Sequence, residues 1–339
     1  MSVTLKDLAE MAEVAESTVS RALNDRPGVS EKTRQEILRL AKEHNYRPNR
    51  MAQGLAGQRT KILGLILPDL DDPSHYLIIE SVESVLEDTG YQLVICNTRR
   101  DPEKCRNYLN LIEYDQLDGA LLVGGVKAGS KLIELTWERD NRIVLANLLV
   151  EELKLPSHLV NYRQGGRLAA KELLPSSARK LESGPPAILM GDENDYVEDE
   201  RRQGFREECR DRGVGEPEVV SGVFSHEDGY RAFLELVEEH YPLPEGFYLT
   251  SNLPAAGLIE AIKMGGYMIP EDFQVVGTGS NMMTEMIKPE LSVIHEPLDE
   301  LAVDAINTLL KLVGDEDIEE EIKVYDPELR RGETTLGNS

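Results

Sequence analysis

Beyond residue 60, unbroken apolar runs alternate with stretches whose apolar positions recur every three or four residues. The runs fall at 61–67, 91–96, 117–123, 142–146, 187–191, 247–250, 273–277 and 291–295. Helical patterns include 74–88, 163–174, 200–212 and 298–313. A run without alternation suits a strand covered on both faces, and helices between such strands cover a parallel sheet. Eight or more strands, divided near Leu155 to Val160, predict two doubly wound subdomains. Open sheets of this kind hold ligands beyond the carboxyl ends of their strands, which places a ligand in the cleft between the two.

The first sixty residues carry a different pattern. Thr4 can cap a helix, with Asp7 completing a capping box, and Leu5, Leu8, Ala9 and Ala12 form one apolar stripe. A tight break near Glu13-Val14-Ala15 precedes a second helix, about Glu16 to Asn24, with Val19, Ala22 and Leu23 facing inward. Glu16, Ser17, Ser20 and Arg21 share its other side. Asp25-Arg26-Pro27-Gly28 is turn chemistry, and Ser30 caps a third helix carrying Ile37, Leu38 and Ala41. This spacing fits a helix-turn-helix, whose second helix enters the major groove, and it fits an ordinary three-helix bundle equally well.

The residue strings separate the two. Thr4-Leu5-Lys6-Asp7-Leu8-Ala9, Ser17-Thr18-Val19-Ser20-Arg21-Ala22-Leu23-Asn24, Gly28-Val29-Ser30 and Asn45-Tyr46-Arg47-Pro48-Asn49-Arg50 follow one another in order, then Met51-Ala52-Gln53-Gly54-Leu55-Ala56. Together they closely resemble the lactose-repressor family of bacterial transcription regulators, over essentially the whole chain. The resemblance implies an all-α helix-turn-helix head at 1–47 and a hinge helix at 48–60. A periplasmic-binding-protein-like α/β core of two doubly wound parallel-sheet subdomains then spans 61–339. The expected N-subdomain is about 61–160 plus 293–324, and the C-subdomain about 161–292 plus 325–339.

By the same resemblance, Thr4, Leu5, Glu16, Ser17, Thr18, Ser20, Arg21, Asn49, Ala52 and Leu55 are the DNA-contacting set. Glu16 and Ser17 match specificity positions, and Arg21 matches an arginine that can pair with guanine. Ala52 and Leu55 match the hinge wedge that enters the minor groove. Gly54 inside so short a helix weakens it by about 1 kcal/mol, so the hinge should order on DNA. The family's turn glycine is Glu13 here and its serine cap is Ala15, so a less stable head is expected.

In the core, Asp69, Ser74, His75, Tyr76, Asn147, Arg201, Ser251, Asn252, Gly279, Ser280 and Asn281 match the family's effector-contacting loops. The family's commoner sugar pattern is altered: an Asn-Asp pair is Ser251-Asn252, an Asp-Asp pair is Gly279-Ser280, and Asn147-Leu148 replaces an aspartate and an arginine. Fewer acids should make the site less repulsive to an anion. Glu43-His44-Asn45-Tyr46, Pro68-Asp69-Leu70, Gln203-Gly204-Phe205-Arg206 and Arg330-Arg331-Gly332 resemble the fructose-repressor subgroup. A sugar phosphate is therefore the leading expected effector, ahead of a neutral sugar or a purine.

Charge sharpens this picture. The chain carries a net -25, yet residues 1–60 hold 10 Lys+Arg against 8 Asp+Glu, so the head is +2 and the rest -27. A basic reading head on an acidic body suits DNA binding through the head alone; surface charge serving solubility, as in a salty cytoplasm, is the plainer reading. Three scattered cysteines, Cys96, Cys105 and Cys209, suggest buried thiols in a reducing cytoplasm rather than a metal site. No signal segment or membrane-spanning run is seen. Dinucleotide, P-loop, hydrolase-elbow and zinc-protease strings are missing, so no enzyme, cofactor or metal is expected. The expected protein is a cytoplasmic homodimer binding a pseudo-palindromic operator, gated allosterically by a sugar or sugar-phosphate effector. The alternative is a sugar-binding protein with a degenerate head, and a protein corepressor fits the family too.

Overall fold

The computed structural model describes residues 3–23, 26–44, 46, 59–70, 72–124, 142–148, 154–174, 185–193, 195–239, 243–244, 246–279, 284, 286–316, 318 and 322–337. They belong to two compact units, Met1–Thr60 and Lys61–Ser339.

The first unit holds α1 (Leu5–Met11), α2 (Glu16–Leu23) and α3 (Glu31–Glu43). The Thr4 hydroxyl accepts the Asp7 N–H at 3.2 Å while Asp7 accepts the Thr4 N–H at 2.8 Å, closing the expected capping box. Ser30 caps α3 through the Thr33 N–H. Leu8, Val19, Ala22, Ile37, Leu40 and Ala41 form the buried centre. Leu38, expected among them, is exposed, because helical spacing puts Leu40 and Ala41 on the face of Ile37 and turns Leu38 away. The turn between α1 and α2 passes through Glu13 at φ +54, a left-handed conformation that suits glycine. Ala15 has no side-chain oxygen to cap α2, although its carbonyl accepts from Thr18 at 2.8 Å. The hinge positions Asn49, Ala52 and Leu55 lie outside the described residues.

The second unit contains two six-stranded sheets. The first runs β11-β5-β4-β3-β1-β2. Its strands are β1 (Ile62–Leu67), β2 (Gln92–Asn97), β3 (Gly119–Val123), β4 (Ile143–Ala146), β5 (Ser157–Val160) and β11 (Ile322–Tyr325), all paired in parallel. The second runs β12-β10-β9-β8-β6-β7. It consists of β6 (Ala187–Leu189), β7 (Glu218–Val220), β8 (Gly246–Leu249), β9 (Gln274–Thr278), β10 (Ser292–His295) and β12 (Glu328–Arg330), parallel except for β10 against β12. Both faces of each sheet are covered. On the first, α4 (Ser74–Leu86) and α10 (Leu298–Val313) bury one apolar cluster and α5 (Pro102–Glu113) another. On the second, α8 (His226–Glu239) and α9 (Asn252–Met264) cover one face, and α6 (Tyr162–Leu173) with α7 (Tyr196–Asp211) the other.

Two boundaries differ from expectation. A division at residue 293 would cut β10, which instead lies wholly in the second sheet, Ser292 to Ile294 pairing with β9 and Val293 to His295 with β12; the chain leaves that sheet only at Glu296-Pro297. Helix α7 begins at Tyr196 rather than near 200, because Asp195 caps it through the Val197 N–H. The chain thus crosses between sheets three times, after β5, after β10 and after β11. The Asn161 amide donates to Asp326 at 2.9 Å, tying the first crossing to the third.

α6 and α7 approach so closely that only glycine fits at Gly204, where an added Cβ would lie 1.8 Å from the Arg163 carbonyl oxygen. Gly204→Ala should therefore destabilise the core by about 1–3 kcal/mol despite alanine's better helix propensity, read as a lowered denaturation midpoint. Glu13→Gly should act in the opposite direction, relieving the left-handed backbone and slowing hydrogen exchange across α1–α3 by about 1 kcal/mol in protection.

Candidate functional site

The carboxyl ends of both sheets face one cavity of about 890 Å³. From the first sheet, the loop after β1 supplies Asp69 and Asp72, the start of α4 supplies Ser74 and His75, and the loop after β2 supplies Asn97, Arg99 and Arg100. Asn147 follows β4. From the second, the loop after β6 brings Asp192 and Asp195, α7 brings Glu198 and Arg201, and β8 runs into Thr250, Ser251 and Asn252. Gly279 follows β9 and Glu296 follows β10, while Tyr162 and Phe224 contribute rings. Eight of the eleven expected effector positions are thus brought together. Tyr76 is not: it is 62% exposed and off the lining, since α4 turns it away from its neighbour His75. Ser280 and Asn281 lie outside the described residues.

Arg201 occupies the back of the cleft. Its Nε and Nη2 donate to Glu296 Oε1 at 3.2 and 2.6 Å, and its Nη1 donates to Glu198 Oε1 at 3.0 Å. The guanidinium carbon lies 4.8 Å from the Tyr162 ring centroid. Burial works against its charge, but Glu296 and Glu198 outweigh burial and hold it firmly protonated. Burial pushes both carboxyls above their usual range, against the pull of Arg201. Arg201 was expected among the effector contacts; its charge is taken up by two residues that sequence reasoning missed. Glu198 was discoverable, being three residues before Arg201 on a helix, whereas Glu296 is 95 positions away and comes near only through the fold.

At the rim, Arg100 reaches across the cleft. It contacts Asp69 at 3.0 Å on its own side and Asp195, the cap of α7, at 3.1 Å on the other. Arg99 and Arg100 both have left-handed backbones, φ +53 and +56, pinned by Arg99 N–H to Asn97 Oδ1 at 2.9 Å and Arg100 N–H to the Pro68 carbonyl at 2.9 Å. Backbone strain held in this way marks a loop shaped for aiming side chains. His75 Nδ1 stands 3.5 Å from Asp69. Burial lowers the imidazole pKa, but hydrogen bonding to Asp69 and the charges of Asp72 and Asp69 outweigh it, and the net shift is upward from 6.5. The hydrogen bond to His75 is the largest influence holding Asp69 well below the usual carboxylate range.

Asn147, at φ +52, spends its Oδ1 on the Val160 N–H at 3.1 Å. Gly279 has φ +122, and a Cβ there would sit 2.7 Å from Asn252 Nδ2, so glycine is required where the acidic pattern of the commoner sugar sites would not fit. Six carboxylates line the cavity (Asp69, Asp72, Asp192, Asp195, Glu198, Glu296) against three guanidiniums (Arg99, Arg100, Arg201). Acids absent from the matched loops thus return at positions 72, 192, 195 and 296, so the cavity is more acidic than those loops alone implied.

In the first unit, Glu16, Ser17 and Arg21 are exposed on one side of α2, with Val19 and Ala22 buried on the other. Thr4 is exposed at the start of α1, while Leu5, Thr18 and Ser20 are half-buried. Among the described residues, no helix is long and apolar enough to cross a membrane, and no group of three or more His, Cys, Asp or Glu is placed to hold a metal.

Comparison with known proteins gives this geometry its context. Residues 4–49 match the bacterial regulatory proteins of the lacI family, and residues 185–335 match a periplasmic binding protein-like domain. The chain is 30% identical over 328 residues to the HTH-type transcriptional repressor PurR of Histophilus somni (strain 129Pt), covering 96% of this chain and 97% of that one. It is 28% identical over 312 residues to the HTH-type transcriptional regulator DegA of Bacillus subtilis (strain 168), covering 91% and 90%. Its fold superposes with a TM-score of 0.85 on the Lac repressor dimer bound to operator and the anti-inducer ONPF, at 22% identity and over 99% and 100% of the two chains. With its capped three-helix head and paired parallel sheets, this chain belongs to the lacI family of bacterial regulatory proteins.

Proposed function

We propose that the chain is a homodimeric transcriptional repressor whose head reads a pseudo-palindromic operator and whose cleft binds the small polar effector that gates this reading. The exposed Glu16–Ser17–Arg21 side of α2 carries the proposal: it leaves an arginine and two short polar or acidic groups free of the head's own core, ready for base edges. The hinge positions Asn49, Ala52 and Leu55 add a minor-groove wedge by family resemblance. No turnover is part of this reading, since a ligand need only favour one arrangement of the two subdomains to shift DNA affinity. Dimerisation is supported by apolar surface on the core. Val94 and Ile95 stand exposed on the edge strand β2, and Met264 and Met286, 70% and 77% exposed, border a hollow of about 530 Å³ along α9.

Operator binding tests the reading directly. Arg21→Ala should weaken binding to the specific operator by about 1–3 kcal/mol while leaving non-specific DNA affinity nearly unchanged, measured by fluorescence anisotropy at fixed salt. Equal loss on specific and random DNA would remove Arg21 from base reading.

The rim of the cleft gives two further outcomes. Asp195→Asn cuts the cross-cleft ion pair, and because Arg100 is half exposed the effect on the closed form should stay within about 1 kcal/mol, seen as a modest rise in the radius of gyration by small-angle scattering. His75 has a folded pKa above 6.5, so its charge stabilises the core fully below that value and the contribution fades as pH rises through the raised pKa. The core should therefore melt higher near pH 6 than near pH 8 in this respect, and His75→Asn should flatten that part of the profile. Asp69 acts at the other end, its contribution being present above its ordinary 3.8 and lost as acid protonates it.

A further inference from the structure

Taking the cleft as the effector site of the proposed function, we infer that its ligand is a small polar molecule bearing a protonated amine. Two acceptors on the lining are under-satisfied. Asn252, 6% exposed, has an unpartnered Oδ1, and Glu198 has one oxygen on Arg201 and the other, Oε2, shielded from solvent with no well-formed hydrogen bond beyond weak donation to the carboxyl from the Thr250 hydroxyl and the Gly191 N–H. Buried acceptors left unmade are costly, so a ligand that brings N–H or O–H groups to them gains affinity. Both belong to the second subdomain's wall, Glu198 on α7 and Asn252 at the start of α9, so one group on the ligand can address that wall.

Charge then separates the candidates. Arg201 is committed to Glu198 and Glu296, and Arg100 to Asp69 and Asp195, so neither guanidinium is offered to an incoming anion. The lining sets six carboxylates against three guanidiniums and the His75 imidazole. A phosphate would meet Arg99 alone as an unpaired guanidinium among these, and the acidic surplus opposes it. A neutral sugar supplies donors without charge, whereas an ammonium supplies both and turns the hydrogen bond to Glu198 into a charge-assisted one. Phe224, on the same lining and 61% exposed, offers a ring face that a cation can use. Arg99 forms no ion pair among the described residues, so the far end of the ligand can carry a hydroxyl or carboxylate without changing the requirement for an amine.

The test is calorimetric titration of the full chain with probes sorted by charge. These are glucosamine, galactosamine, putrescine and spermidine; glucose, galactose and ribose; and glucose 6-phosphate and fructose 1-phosphate. The expected result is that an amine binds at least about 10-fold tighter than any neutral or anionic probe. Glu198→Gln should cut its affinity by about 10–100-fold and shrink its preference over the neutral probes. Asn252→Asp, which adds a charge without disturbing Arg201, should strengthen amine binding several-fold. A tightest ligand that is neutral or anionic overturns the inference. So does an absence of amine binding at about 10 mM, or an amine preference that survives Glu198→Gln and ignores Asn252→Asp. Operator binding in the same samples separates the two readings. A sugar or phosphate that shifts operator affinity keeps the gated repressor and removes the amine, whereas specific DNA binding absent under every condition removes the repressor itself.

Discussion

The buried guanidinium of Arg201 is the group on which the core's arrangement depends. A cation taken out of water costs several kcal/mol unless partners replace the lost solvation. Glu198 does so from the same helix and Glu296 from the segment where the chain leaves the second sheet for α10. The ion pair consequently fixes a crossing between subdomains as well as the floor of a cavity. Removing both carboxylates would leave an uncompensated buried charge, a loss of about 3–5 kcal/mol, whereas with one removed the other still balances the guanidinium. The tight seat of α7 on α6 at Gly204 serves the same end, because it sets how deep Arg201 sits.

Much of this fold was legible from the chain alone. Strands β1, β3, β4, β8 and β9 are almost wholly buried runs, only Ile62 and Gln274 at their starts being half-buried, and their predicted spans agree with the observed ones to within two residues. Strand β5 was hidden because its Ser157 and His158 are polar yet buried, the serine donating to the Leu155 carbonyl and the histidine held between Tyr325 and Thr308. The edge strands β7, β11 and β12 are short and half wet, so they lack the continuous apolar signal. The site was legible loop by loop but not charge by charge. Local resemblance located Asp69, Asn147, Arg201 and Asn252, whereas Asp195 and Glu296 acquire meaning only from partners 95 positions away.

The head shows the same division between local and distant information. A capping box is four residues long and can be read in full, and Thr4 and Asp7 behave as written. The left-handed Glu13 needs the turn itself before its strain is visible, although a non-glycine residue in a helix-turn-helix turn already hints at it. Charge is divided in keeping with this economy: a head near neutrality, slightly basic, is joined to a body carrying -27, so that attraction to phosphate is confined to the part shaped for it.

The centre and the rim of the cleft differ in strength, and that difference is what makes gating physically reasonable. At the centre, Arg201 and its two carboxylates are dry and strongly coupled, so the crossing they hold resists deformation. At the rim, Arg100 is half solvated and joins Asp69 to Asp195 through contacts that water competes for, the kind that contribute about 0–1 kcal/mol. In the proposed gating, a bridge held by so little is easily tipped, and a ligand need differ only modestly in its affinity for two arrangements to decide between them. Strengthening the rim to match the centre would stabilise one state at the expense of response. In that proposal the weak bridge is where an effector acts, and the strong one keeps each subdomain intact as the two shift.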